Sequence, residues 1–504
     1  MTGSSPRLCV TVGGTTMGEV CRARDAATEG DLVEVRLDGV TDPDPAAALA
    51  GRTKPVLVTC RPSWEGGRFA GPETDRVAML QRAWDLGADY VDIEFAAPAC
   101  ELMLRQTRGE RVVLSSHDFG GTPRDLEDRF RAMRQTNAAI VKIAVRASTL
   151  ADTMRVFALG KSAGERPFIA LAMGMPGLPS RVLAAKVGSC WTYAGAAWAP
   201  GQVPAGRMID EFGFRRVTPT TRVYGVAGRP IAHSVSPAMH NAAFAAAGID
   251  GVYVPFEAAT ADDLFACAEA LDVRGLSVTA PFKIAAAERC RPDDLARAIG
   301  AVNTLRRTTG GWEGTNTDVA GFLEPLERCM ALSNTRASVI GAGGAARAVA
   351  IALGSRGARV TVHARRIEAA QAVADLTGAA ATLELPRAGA WDLLVNATPV
   401  GTTPHVSETP YAGPFDGRLV YDLVYNPPAT RLLRDARAAG CQTLGGLDML
   451  VAQAARQIAW WTACEADQDA MRRAAERRLG MNDMPGVDVS ETRRAASGST
   501  TAVQ

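Results

Sequence analysis

A lysine stands inside one apolar run, AIVKIAVRA (residues 139–147), and a histidine closes another, RVVLSSHDF (111–119). A buried ammonium is costly. Burial therefore favours the neutral amine of Lys142, a nucleophile towards a ketone. The resulting imine acidifies the adjacent carbon, and an imidazole such as His117 can take that proton. The chain has only 5 histidines in 504 residues, so placing one at a strand end carries weight. Each residue alone also has an ordinary reading: the lysine snorkels or pairs with an acid, and SSHDF caps a strand. Together on consecutive strands they describe Schiff-base and proton-transfer chemistry.

A second group of residues points to hydride chemistry. GRPIAHSVSPAMHN (228–241), GLSVTAPFK (275–283), GAVNT (300–304) and GTNTDVAG (314–321) follow one another. Serines at a turn with a proline before a helix form an anion cradle. GAGGAA then fits G-x-G-x-x-A through Gly341, Gly343 and Ala346, with Gly344 and Ala345 completing the cofactor-binding turn. The following strand ends VTVHARR, with no acid at its tip for ribose hydroxyls. Arg365 and Arg366 stand there instead and suit a 2′-phosphate, so NADP is the expected cofactor.

These groups need elements to position them. Between residues 6 and 216, eight apolar runs alternate with helical stretches: LCVTV, DLVEVRLDGV, PVLVTC, DYVDIEF, RVVLSSHDF, AIVKIAVRA, PFIALAMG and CWTYAGAA. Continuous apolar runs mark parallel strands buried on both faces, and eight in this length predict an α/β fold beginning with a (β/α)8 TIM barrel. A break near 213–221 precedes a second α/β region, 222–330, with strands at RVYGVAG, GVYVPFEA, GLSVTAP and AVNTLRR. Residues 331–480 read as a Rossmann cofactor domain, with later strands at WDLLVNATPVG and RLVYDLVYNP and a helical segment over 447–479. The small polar tail, 481–504, is expected to be disordered.

Bulk properties narrow the function classes. The chain carries Lys+Arg 55 against Asp+Glu 54, a net charge of +1, which argues against nucleic acid as a partner. No stretch has the length of a membrane span and no signal peptide is evident. Ten scattered cysteines lack C-x-x-C pairs or Cys/His clusters. They predict reduced thiols, no metal site and a cytoplasmic location.

On VEVRLD, TCRPSWEGG, SSHDF, VKIA, SR and APGQ, the first half resembles the type I 3-dehydroquinate dehydratases. The resemblance implies that Lys142 forms the imine, His117 is the general acid/base and Glu65 supports it. It also implies substrate contacts from Glu34, Arg36, Arg61, Arg181 and Gln202. One departure is Trp198 in AWAPGQ, where that family often has a serine. The second half, from about 222 to 479, resembles shikimate dehydrogenase. By that resemblance Ser234 and Ser236 hold the substrate carboxylate, and Thr279, Asn303, Tyr425 and Gln453 add contacts. Lys283 and Asp318 form the catalytic pair, and Arg365 is the phosphate-binding arginine.

The order of the two halves resembles the dehydratase/shikimate dehydrogenase fusion of plants. It implies conversion of 3-dehydroquinate through 3-dehydroshikimate to shikimate with NADPH, and only small molecules as partners. A monomer suffices for this reading. One alternative makes the second half a quinate dehydrogenase, although Ser236 and Thr279 favour shikimate. The other is a non-catalytic metabolite sensor, against which stand the complete acid/base and imine sets and the lack of a DNA-binding segment.

Overall fold

The computed structural model describes residues 5–195 and 198–481. The expected disordered tail therefore lies outside the described residues, Met481 excepted. The chain packs as two compact units, 1–233 with 250–273, and 234–249 with 274–504.

In the first unit, β1 (Arg7–Val12), β2 (Leu32–Arg36), β3 (Val56–Thr59), β4 (Tyr90–Glu94), β5 (Val112–Asp118), β6 (Ile140–Arg146), β7 (Phe168–Met173) and β8 (Trp191–Gly195) form one sheet. Its order is β7-β6-β5-β4-β3-β2-β1-β8, with every ladder parallel. The two ends approach where the Cys190 N–H donates to the Phe168 carbonyl at 2.9 Å. All eight expected runs are strands, and helices between them cover the outer face, as a (β/α)8 barrel requires.

Alternation along each strand sends every second residue inward. Cys9, Leu32, Leu57, Val113, Ile140, Ile169 and Trp191 fill the lower interior with an apolar plug. Two residues further along the same strands come Thr11, Glu34, Thr59, Ser115, Lys142 and Tyr193. A polar layer thus rests on a dry floor, and Ser115 pairs in register with Lys142.

The same unit holds the parallel pair β9 (Arg222–Gly228) and β10 (Gly251–Glu257), followed by the helix Ala261–Ala270. Asp263 of that helix accepts from the Leu150 N–H at 3.1 Å and the Ala151 N–H at 2.8 Å. It thereby caps the barrel helix Leu150–Ser162, whose own capping box is Thr149 with Asp152. Orphan N–H groups of a first turn need such acceptors.

In the second unit, β11 (Val273–Val278) runs antiparallel to β13 (Thr304–Thr308) and β13 to β14 (Gly311–Thr315), while β12 (Arg291–Pro292) joins β14 in parallel. The short strands β12 and β14 are absent from the apolar pattern because β12 is only Arg291–Pro292 and β14, GWEGT, has few apolar residues. Next come β15 (Arg336–Ile340), β16 (Arg359–His363), β17 (Ala380–Thr382), β18 (Leu393–Asn396), β19 (Leu419–Asp422) and β20 (Gln442–Leu444). Their parallel order, β17-β16-β15-β18-β19-β20, is that of a dinucleotide-binding sheet. The helical segment expected over 447–479 consists of two helices, Gly446–Thr462 and Gln468–Arg478. Ala463 ends the first in the left-handed region at φ 56, and the Asp467 side chain caps the second.

Candidate active sites

The barrel strands deliver their polar layer into a cavity lined by Glu34, Arg36, Arg61, Glu65, His117, Lys142, Arg181, Tyr193, Trp198 and Gln202 among others. Every barrel residue singled out from sequence is therefore brought together. Lys142 is 5% exposed, deep on β6. Its Nζ lies 3.8 Å from Glu34 and 3.6 Å from Asp92, and 4.1 Å from the centre of the Tyr193 ring. The lysine is not isolated in apolar surroundings, as burial alone suggested; two carboxylates and an aromatic face surround its Nζ.

His117 Nδ1 lies 2.9 Å from Glu65 Oε2. Glu65 belongs to a short helix, Ser63–Glu65, that Gly66 ends at φ 77. Burial pushes the Glu65 carboxyl up to about 8, opposed by Arg61 and reinforced by Glu94 and Asp92. Burial also pushes His117 well below the usual imidazole range, helped by the charges of Arg61, Lys142 and Arg36. At neutral pH the imidazole is uncharged and Glu65 retains a proton, so the pair can pass one proton between Nδ1 and the carboxyl. Nε2 is then the ring nitrogen that remains to exchange a proton with a ligand.

The three arginines differ in what they leave available. Arg61 sits among carboxylates: Nη2 is 2.9 Å from Asp92, and Nη1 is 2.6 Å from Glu94 and 3.4 Å from Glu65. It also donates to Ser115 Oγ at 2.7 Å. Arg36 gives its fork to Asp38 at 2.7 and 2.8 Å. Arg181 is buried; among the described residues its Nε has no hydrogen-bond partner and no acid pairs with it, while its Nη2 donates to the Pro200 carbonyl at 3.5 Å. Burial lowers its pKa to about 10. A buried guanidinium with no carboxylate beside it suits an anionic ligand.

Glu34 and Gln202 are likewise already held. Glu34 accepts from Thr11 at 2.8 Å and Thr59 at 3.0 Å. Gln202 Oε1 accepts from the Trp198 and Ala199 N–H groups at 3.0 and 3.1 Å, and its Nε2 donates to Thr11 at 3.2 Å. Sequence reasoning missed Asp38, Asp92 and Glu94. Burial works against the Asp92 charge, yet Arg61 and Lys142 hold its carboxyl below the usual range. Two acids spaced by two in DYVDIEF, on one face of a buried strand, were the available signal.

In the second unit, Lys283 opens the helix Lys283–Glu288 and Asp318 opens Asp318–Glu327. Lys283 Nζ donates to Asp318 Oδ2 at 2.7 Å. Asn303 Nδ2 donates to Asp318 Oδ1 at 2.7 Å, and Asn303 Oδ1 accepts from the Thr317 N–H at 2.8 Å. Thr317 Oγ1 reaches Gln453 at 3.5 Å. Gln457, unforeseen from sequence, braces this cluster from below by donating to Thr304 at 3.0 Å, while Thr304 donates to Asn303 at 2.8 Å. Ser234 Oγ accepts from the Ser236 N–H at 3.2 Å, where the helix Ser236–Ala246 begins. Among the described residues, no side-chain hydrogen bond ties Thr279 or Tyr425 to this cluster. Thr279 precedes Lys283 in the turn after β11, and Tyr425 follows β19.

The residues of the nucleotide turn fit a pyrophosphate. Gly341 has φ +122, and a Cβ there would fall 2.9 Å from the Ala397 carbonyl oxygen. Gly343, ahead of the helix Gly344–Ser355, has open space where its side chain would be. Gly344 would place a Cβ 3.7 Å from the Lys283 stem, so the turn adjoins the lysine–aspartate pair. Arg365 and Arg366 are exposed beyond β16, and neither forms an ion pair among the described residues, which suits a dianionic phosphate. No group of acids, histidines and cysteines among the described residues could hold a metal ion.

Comparison with known proteins adds family matches. Residues 8–217 match the model for type I 3-dehydroquinase, 226–305 that for the shikimate dehydrogenase substrate binding domain, and 446–476 that for the shikimate 5′-dehydrogenase C-terminal domain. A chloroplastic bifunctional 3-dehydroquinate dehydratase/shikimate dehydrogenase from Arabidopsis thaliana is 37% identical over 477 residues, covering 87% of this chain and 79% of its own. A shikimate dehydrogenase (NADP(+)) from Anaeromyxobacter dehalogenans is 43% identical over 277 residues, covering 52% of this chain and 99% of its own. A shikimate 5-dehydrogenase from Thermus thermophilus, solved with NADP(H) and shikimate, is 38% identical with a TM-score of 0.48, covering 51% and 99%.

Proposed function

The chain belongs to the family of bifunctional 3-dehydroquinate dehydratase/shikimate dehydrogenases, and from that premise we propose that it carries out two consecutive steps. It dehydrates 3-dehydroquinate to 3-dehydroshikimate and reduces the latter to shikimate with NADPH. The observation that carries the reading is the cavity shared by Lys142, the His117–Glu65 pair and Arg181, which pairs with no acid among the described residues.

In the barrel, Arg181 takes the substrate carboxylate. The Lys142 amine adds to the ketone, releasing water and leaving an imine. His117 Nε2 removes a proton from the adjacent carbon, and the electrons expel the ring hydroxyl, which leaves as water on receiving that proton. Hydrolysis returns the ketone and the free amine. In the second unit, Ser234 and Ser236 are assigned to the carboxylate, with Thr279, Asn303, Tyr425 and Gln453 around the ring. Bound NADPH would supply hydride to the carbonyl carbon. Lys283 donates a proton to the carbonyl oxygen, and Asp318 orients it. Gly341, Gly343, Gly344, Ala345, Ala346, Arg365 and Arg366 are assigned to the cofactor.

The matched segments support a dehydratase domain over 6–216 and a dehydrogenase over 222–480, divided near 330. No helix among the described residues is long and apolar enough to cross a membrane. We assign the cytoplasm as location, supported by ten free cysteines. The test is one tube holding enzyme, 3-dehydroquinate and NADPH, with products identified. Shikimate is the expected product. NADPH oxidation only after added 3-dehydroshikimate would remove the barrel assignment, and turnover of quinate in preference to shikimate would reassign the second half.

A further inference from the structure

The turn that carries Gln202 also carries an indole held on three sides. The Trp198 ring centre lies 5.3 Å from Arg36 Cζ and 4.7 Å from Arg68 Cζ. Asp38 fixes both arginines, taking the fork of Arg36 and, at 2.9 Å, the backbone N–H of Arg68. The third side is Gly13. A Cβ at that position would fall 2.3 Å from the indole Cζ2, so the missing side chain makes the seat. From its own turn, the Trp198 N–H donates to Gln202, which in turn holds Thr11 above Glu34. Trp198 lines the same cavity as Lys142 and His117.

We propose that Trp198 is a substrate-positioning residue of the barrel site: seated on Gly13 between Arg36 and Arg68, it fixes residues 198–202 and presents an aromatic wall to the ring of the bound keto acid. The proposal rests on the dehydratase reading above. The two guanidiniums, 5.3 and 4.7 Å from the ring centre, stabilise the indole through its ring quadrupole. A wall already ordered before binding lowers the ordering cost of binding. The reacting groups depend on other elements: Lys142 on β6, His117 on β5 and Glu65 on the short helix after β3. Removing the indole therefore weakens binding and leaves the chemistry in place.

The experiment compares Trp198→Ala, Trp198→Phe and Gly13→Ala in the full chain. Dehydration kinetics and borohydride trapping of the 3-dehydroquinate imine on Lys142 are measured, with the melting of the first unit as the folding control and NADPH-dependent reduction of 3-dehydroshikimate as the control on the second unit. Trp198→Ala is expected to raise KM about tenfold while kcat and trapping stay within about threefold of wild type. Trp198→Phe keeps a ring and recovers most of the affinity. Gly13→Ala pushes a methyl into the indole and reproduces the alanine variant. A KM within about twofold of wild type in Trp198→Ala, or a fall in kcat with KM unchanged, overturns the proposal. Should Trp198→Ala fail the folding control, Gly13→Ala decides, and an unchanged KM there is equally fatal. A wild-type enzyme that reduces 3-dehydroshikimate but neither dehydrates nor traps 3-dehydroquinate would instead sink the dehydratase reading itself.

Discussion

The two sites hold their lysines in opposite ways. Lys142 has a side chain 6% exposed, with carboxylates at 3.6 and 3.8 Å but none at hydrogen-bond distance. Lys283 has a side chain 22% exposed and a single short bond, 2.7 Å, to Asp318. The first arrangement suits a lysine that must leave its acids and bond covalently to carbon, in a pocket whose dry floor limits competing water. The second suits a lysine that stays paired and moves only a proton. It lies beside the nucleotide turn, so a bound cofactor would complete its surroundings. The burial of each lysine thus matches the chemistry proposed for it.

Separate activity assays break or sharpen this contrast. The largest effect is expected from Lys142→Ala, which should lower dehydration by roughly 10⁴-fold or more while shikimate oxidation stays within about twofold. Mass spectrometry after borohydride should place the label on Lys142 alone in the wild type. Labelling elsewhere would contradict the covalent role. Lys283→Ala should do the reverse, lowering NADPH-dependent reduction by about 10²–10⁴-fold and sparing dehydration. If either variant silenced both activities, the two sites would not be chemically independent.

The contrast also explains what sequence could reveal. A lysine in AIVKIAV and a histidine closing RVVLSSH break apolar runs, and the barrel converts that break into a shared cavity. The strand runs were legible for the same reason: both faces are buried, so each reads as a continuous apolar segment. Ion pairing was not legible. Nothing local in TCRPSWEGG says that Arg61 will meet Asp92 and Glu94 rather than a ligand, because those acids come from another strand. The same holds for Arg181, whose distinction is that no acid pairs with it among the described residues. In the second unit the motifs were readable only as a set, since single serines and glycines usually shape turns. Short strands such as β12 and β14 were missed because pairing, not composition, defines them.

Two intermediate effects refine each side. With Glu65 raised to about 8 and His117 held uncharged, the carboxyl keeps its proton at neutral pH. Losing it lets Glu65 accept the Nδ1 proton and frees Nε2 as a base. Dehydration kcat/KM should therefore climb as pH rises through about 8, and Glu65→Gln should remove that limb and shift the rise to lower pH. An unchanged profile in Glu65→Gln would separate the limb from this pair. On the cofactor side, Arg365→Ala should raise KM for NADPH about tenfold and change use of NADH little, because the lost contact is to the 2′-phosphate. An equal loss with both cofactors would remove Arg365 from that role.

The smallest effect tests whether the dehydratase barrel is a self-sufficient body. Asp263 lies outside the barrel sequence, yet it accepts from the first two N–H groups of the barrel helix Leu150–Ser162. It also accepts from the Ala259 N–H at 2.9 Å, so one carboxylate serves two segments more than a hundred residues apart. Removing an N-terminal cap costs about 1 kcal/mol. Asp263→Ala should therefore lower the melting temperature of the first unit by a few degrees. Hydrogen exchange should rise at Leu150 and Ala151 more than elsewhere. Both KM values should hold, because this helix lies outside the cavity and none of the residues assigned to either reaction is bonded to Asp263. Asp263→Asn, which keeps one carbonyl oxygen as acceptor, should fall between. If alanine left the exchange at Leu150 and Ala151 unchanged, the cap would be redundant with the Thr149–Asp152 box, and the barrel would stand on its own residues.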